Sequence, residues 1–234
     1  LKKKVLQRNR MLLWEKKAFL KGASLIIGLD EAGRGPLAGP VVAGAVMLHR
    51  SELKRFSLPR FKQIIDDSKR LTPVKREEAF KEITKKSIYA IGKKDQDFID
   101  NENINKATIH AMQDAVISLI RKFCSFHKIN SDDIKDKICL LVDGNLKLGL
   151  PYTTVNITKG DSRSLSIAAA SIVAKVIRDR IMAFYDKVYP EYGFLRHKGY
   201  CTKAHIEAIR RHGPCPIHRK TFAPIRGEND FCQD

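Results

Sequence analysis

The chain has 234 residues, 43% of them hydrophobic, enough to bury a substantial core in one large domain or a domain with a small appendage. Forty-four Lys and Arg against 26 Asp and Glu give a formal charge of +18, which suits a polyanionic partner better than a small neutral metabolite. No apolar stretch approaches the ~18 residues of a spanning helix, and the five cysteines, 124, 139, 201, 215 and 232, form neither a C-x-x-C pair nor an even disulfide set. The expectation is a cytoplasmic protein that binds nucleic acid and makes no membrane contact.

Residues 1–22 carry eight Lys or Arg and a single acid, Glu15. Their apolar piece, Met11-Leu12-Leu13-Trp14, is too short for a signal-peptide core, so residues 1–23 read as a basic helical arm, either a solvated face or a duplex contact. Leu25 to Leu29 reads as a short buried strand bounded by glycine, and Pro40 to Leu48 as a second strand. Between them stands Asp30-Glu31-Ala32-Gly33-Arg34-Gly35-Pro36. Adjacent carboxylates near a core are costly unless they are paired, hydrogen-bonded or coordinating a metal, and the glycines let a ligand approach the backbone. An Asp at a strand end also suits a plain turn. A dinucleotide-binding turn does not fit, because Pro36 follows the second glycine and the chain continues as strand instead of helix.

Thr72-Pro73 is a start signal for a charged helix running to about Lys86, and Ser87 to Ile91 reads as a short strand. From Ile104 to Phe123, the apolar positions Ala111, Met112, Ala115, Val116, Leu119, Ile120 and Phe123 recur at helical spacing. Ile138 to Val142 is an apolar strand of the kind covered on both faces, ending in Asp143-Gly144-Asn145. Thr153 to Thr158 is β-branched, and Lys159-Gly160 then delivers Asp161-Ser162 to the mouth of a helix over about 164–188. Taken singly, Asp143 and Asp161 suit turn formers or N-caps as well as ligands, with Asp161 or Ser162 as the cap of that helix. Together with Asp30 and Glu31 they place carboxylates at strand ends, where open α/β sheets bind ligands, and all-oxygen sites suit hard divalent cations. No zinc spacing and no Ser/His/Asp order stands out. The alternation of helices and strands predicts an α/β fold, and the acids point to Mg²⁺-dependent phosphodiester hydrolysis.

These residues resemble bacterial ribonuclease HII. The likeness runs from about Leu25 to Gly227, through Gly28-Leu29-Asp30-Glu31-Ala32-Gly33-Arg34-Gly35-Pro36, Asp67-Ser68-Lys69, Leu141-Val142-Asp143-Gly144-Asn145, Lys159-Gly160-Asp161-Ser162, Ala168-Ala169-Ala170-Ser171-Ile172, Tyr192-Gly193-Phe194, His197-Lys198-Gly199-Tyr200 and His212-Gly213-Pro214. The resemblance implies a ribonuclease H-like mixed five-stranded sheet flanked by helices, with an extra C-terminal helical segment. It divides the chain into the arm at 1–23, a catalytic domain at 24–227 and a tail at 228–234. It places Asp30, Glu31, Asp143 and Asp161 on the family's four acidic positions, which hold Mg²⁺ or Mn²⁺. Gly33, Arg34 and Gly35 fall on the segment that recognises the ribonucleotide, and Tyr200 on the aromatic that packs on the next deoxyribose. Lys69 and Lys198 are candidate phosphate contacts. Lys175 is a weaker one because it lies inside a helix, and most lysines of so basic a chain are simply solvated.

The implied enzyme is a monomer acting on RNA–DNA hybrids and on ribonucleotide-containing duplex DNA. It cuts 5′ of the ribonucleotide to leave 5′-phosphate and 3′-hydroxyl ends, and a replication-clamp contact through the tail is left open. Tyr192 and Phe194 are expected in a core, and the histidines in structural roles. A junction resolvase of the same broad fold shares the carboxylates but gives no reason for Gly33-Arg34-Gly35 with Tyr200, whereas basic charge alone suffices for a non-catalytic nucleic-acid binder.

Overall fold

The computed structural model describes residues 11–49 and 71–226. Lys69, with its neighbours Asp67 and Ser68, and the tail at 228–234 lie outside the described residues, as do the first ten residues of the arm.

Five strands form one mixed sheet in the order β3-β2-β1-β4-β5. They are β1 (Leu25–Ala32), β2 (Val41–His49), β3 (Ile88–Lys94), β4 (Ile138–Asp143) and β5 (Thr153–Ile157). β1 is central, antiparallel to β2 and parallel to β4. Its alternating residues divide the core: Leu25, Ile27 and Leu29 pack under one helical layer, and Ile26 packs under the other. The apolar run thus serves both faces, as a covered central strand must.

On the first face lies α4 (Ile104–His127), after the shorter α1 (Leu13–Leu20), α2 (Pro73–Lys86) and α3 (Gln96–Glu102). Its buried stripe Ala111, Met112, Ala115, Val116, Leu119, Ile120 and Phe123 is the one read from the sequence. On the second face lies α5 (Leu165–Val188), joined by α2 and by the described part of the arm, whose Met11, Leu12, Ala18 and Ala23 are buried. The described part of the arm therefore covers the sheet. As expected, Thr72 caps α2, its Oγ1 accepting from the Lys75 N–H at 3.4 Å. The cap of α5 differs from expectation. Asp161 and Ser162 lie in a separate 3₁₀ turn, Gly160–Ser162, and Ser164 caps the helix instead.

Beyond α5 come α6 (Phe194–His197) and α7 (Lys203–His212), the helical segment implied at the C-terminus. With Tyr192 and Phe194 buried as expected, this segment forms a second core around Leu37, Met182, Ile209 and Ile217. It docks on the connection between β1 and β2, where Ala38 bridges to His218. Among the described residues, no helix is long and apolar enough to cross a membrane.

Candidate active site

β1 does not stop before its acids, as the apolar run suggested, but continues through Asp30 and Glu31 to Ala32. Consecutive strand residues point to opposite faces. Asp30 turns toward α5, where Ser171 hydrogen-bonds it, while Glu31 turns toward the start of α4. Glu31 Oε1 accepts from Arg34 at 3.3 Å, and the same guanidinium donates to Asn105 Oδ1 at 2.6 Å on the first turn of α4.

The third acid, Asp143, ends β4 beside β1, and its Oδ1 accepts from the Gly160 N–H at 2.6 Å. Asp161 follows in the same turn and is buried. Asp30, Glu31 and Asp143 thus share one electrostatic environment. Burial first, then the charges of Glu31 and Asp143, hold the Asp30 carboxyl well above the usual range, and burial also raises Glu31 against the opposing pull of Arg34. Glu31 Oε2 is buried with no hydrogen-bond partner. Among the described residues, no three carboxylate, histidine or cysteine side chains are gathered into a ready metal cage. Asp143 and Glu31 are engaged instead with Gly160 and Arg34. The donors are all oxygen, and one buried oxygen is unspent, so their chemistry fits a hard divalent cation.

Asp30 and Glu31 line an open cleft with Gly33, Arg34, Gly35 and Tyr200. Tyr200 is 45% exposed, and its ring lies by Gly35, where a Cβ would come within 4.0 Å of it. From α5 the cleft takes Ser171 and Lys175, which sequence reasoning did not place in the site or ranked low. Their spacing of four residues, which puts both on one helix face, was the available signal. Lys175 Nζ is bonded to Asp179 at 2.7 Å. Lys198 does not line this cleft; it sits at a left-handed turn, with its carbonyl accepting from Arg178 at 3.0 Å.

Two fully buried arginines fix the loop between β1 and β2. Arg178 donates to the carbonyls of Ala38, Pro40 and Lys198. Arg219 donates to those of Gly33, Arg34 and Gly39. Burial pulls their guanidinium pKa values down to about 10 and about 9. Gly33 has φ +99°, and a Cβ there would fall 2.1 Å from Arg178 Nε, so both its conformation and its space require glycine. Because a trans peptide points its N–H opposite its C=O, the N–H groups of Arg34 and Gly35 face away from Arg219. No local pattern marks these arginines, since their partners lie up to 186 positions away.

A histidine relay supports Tyr200. The Cys215 N–H donates to His218 Nδ1 at 2.9 Å, so His218 must carry its proton on Nε2 and donate to His205 Nε2 at 3.0 Å. His205 then donates from Nδ1 to the Tyr200 carbonyl at 2.9 Å. Both rings are neutral in this chain of bonds, and burial pushes each down to about 4.

The Ribonuclease HII family profile matches residues 27–225. The chain belongs to the ribonuclease HII family. It is 45% identical over 224 residues to the Ribonuclease HII of Caldanaerobacter subterraneus subsp. tengcongensis, covering 95% of this chain and 83% of that one. The match to the Acholeplasma laidlawii Ribonuclease HII is also 45%, covering 92% and 95%. Among solved structures, ribonuclease H2 from Pyrococcus horikoshii superposes with a TM-score of 0.69 at 26% identity, covering 90% of this chain and all of the other. As a ribonuclease HII, the chain is an endoribonuclease that hydrolyses the RNA of RNA–DNA hybrids.

Proposed function

We propose that this ribonuclease HII also incises 5′ of single ribonucleotides embedded in duplex DNA, leaving 5′-phosphate and 3′-hydroxyl ends. Asp30, Glu31, Asp143 and Asp161 are its metal-binding acids and Mg²⁺ or Mn²⁺ its cofactor. The observation that carries the reading is the shared cleft, in which Asp30 and Glu31 stand beside a Gly33-Arg34-Gly35 loop whose Gly33 and Arg34 carbonyls are fixed from behind by Arg219. Divalent ions held by these acids would supply water activation and stabilisation of the departing 3′-oxygen.

The chain's own residues supply the rest. The unpartnered Glu31 Oε2 is a free oxygen donor for an ion. The Arg34 and Gly35 N–H groups, turned away from Arg219, suit hydrogen bonding to the ribose 2′-oxygen or the adjoining phosphate, and the 2′-hydroxyl is what distinguishes RNA at one position. The Arg34 guanidinium can exchange Asn105 for a phosphate oxygen. Tyr200 offers its exposed face to the deoxyribose beyond the cut. Lys69 and Lys198 remain candidate phosphate contacts, and a monomer is sufficient because all four acids come from one chain.

The test is incubation with a duplex carrying one ribonucleotide, with and without Mg²⁺. Metal-dependent incision 5′ of that position is expected. Cleavage confined to long RNA stretches, or unaffected by chelation, would overturn the reading.

A further inference from the structure

Glu15 is the one acid in the first 22 residues, and it sits on α1 with 0% exposure. Its Oε1 accepts three hydrogen bonds: from Ser164 Oγ at 2.6 Å, Ser166 Oγ at 2.9 Å and the Ser166 N–H at 3.0 Å. Its Oε2 is buried without a partner. A carboxylate in that position is costly, and burial holds its carboxyl above the ordinary value. Glu15 shares the capping of α5 with Ser164: Ser164 accepts from the Ile167 N–H and Glu15 from the Ser166 N–H.

What Glu15 does hold is the entry to α5. The Ser164 N–H donates to the Gly160 carbonyl at 2.8 Å, and the Gly160 N–H donates to Asp143 at 2.6 Å. Three successive bonds therefore lead from Glu15 to Asp143, and Asp161 stands in the turn they cross. The other side is closed by β1. A Cβ at Gly28 would lie 2.1 Å from the Ser166 carbonyl carbon, so the backbone of Ser166 rests directly on the strand two residues before Asp30.

We propose that Glu15 is a positioning residue for the reaction: through Ser164 and Ser166 it holds the 160–166 segment so that Asp161 and Asp143 can meet the metal. The inference rests on the metal reading of the carboxylates given above. It makes the arm part of the catalytic unit even though α1 contributes nothing to the cleft.

The test is Mn²⁺ binding by titration calorimetry on the full chain, with thermal unfolding and single-turnover cleavage of an RNA–DNA hybrid measured alongside. Glu15→Ala should weaken Mn²⁺ binding by about tenfold or more, the usual loss when a group that orients metal ligands is removed. Its affinity for the hybrid without metal should stay near wild type. Glu15→Gln, whose amide oxygen can accept the same three bonds, should recover most of the Mn²⁺ affinity. Ser166→Ala keeps α1 and the Ser164 cap, and should show a smaller loss in the same direction; it decides the matter if Glu15→Ala does not fold. A folded Glu15→Ala or Ser166→Ala protein with wild-type Mn²⁺ affinity overturns the inference. Wild-type Mn²⁺ affinity in Asp143→Asn would instead overturn the carboxylate reading itself, and this inference with it.

Discussion

Asp30 and Glu31 are sequence neighbours that answer to different partners, Ser171 on one face of the sheet and Arg34 on the other. Burial disfavours the charge of each, and a cation would use it. Asp30→Asn and Asp143→Asn should therefore lose essentially all cleavage in single-turnover assays while keeping duplex binding, which rests mainly on Lys and Arg neutralising phosphates. Near-wild-type rates in either variant would remove that acid from the metal site. Tyr200 makes a different kind of contact. If its face carries a deoxyribose, Tyr200→Ala should slow incision at an isolated ribonucleotide more than along an all-RNA strand, because only the first substrate puts a deoxyribose there. Equal losses on the two substrates, measured as kcat/KM, would show that Tyr200 only packs.

At the scale of elements, the loop between β1 and β2 owes its shape to side chains from α5 and from the segment after α7. Arg219→Lys keeps a charge but loses the fork that reaches three carbonyls, and each carbonyl left buried and unpaired costs about 1–3 kcal/mol. Incision at a single ribonucleotide should fall more than about tenfold, with Mn²⁺ affinity unchanged by calorimetry. The histidine relay makes a prediction about acid. Folded His205 and His218 take protons only near pH 4, whereas the unfolded chain takes them near 6.5. The stability given by the neutral pair is therefore complete above 6.5 and is lost as pH falls toward 4. Proton NMR should show neither ring titrating above about pH 5, with amide exchange around Tyr200 accelerating below that. A midpoint near 6.5 for either ring would contradict the relay.

Much of this was legible from local pattern. The period of α4, the cap of α2, the apolar runs of β1 and β4 and the acid that ends β4 all follow from residues close in sequence. What was not legible depends on distant partners. Glu15 reads as a lone acid in a basic helix until Ser164 and Ser166 are placed beside it, 149 and 151 positions on. Arg178 and Arg219 look like two more cations among many, yet both are fully buried. The shift of the α5 cap to Ser164 follows from the 3₁₀ turn at Gly160–Ser162, which no propensity in that stretch announces.

For the molecule as a whole, the charge of +18 sets the response to salt. Hybrid affinity should fall steeply between about 50 and 200 mM salt, as counterion release requires for several phosphate contacts. A flat response would mean that the basic surface contributes little to binding.

The same long-range bonds order events during synthesis. All four acids leave the ribosome before Arg219 does, yet Arg219 fixes Gly33 from 186 positions away. A chain that stalls or is released short of that arginine would carry all four acids beside an unfixed loop between β1 and β2. Translation must therefore pass Arg219 before the loop between β1 and β2 can take its shape.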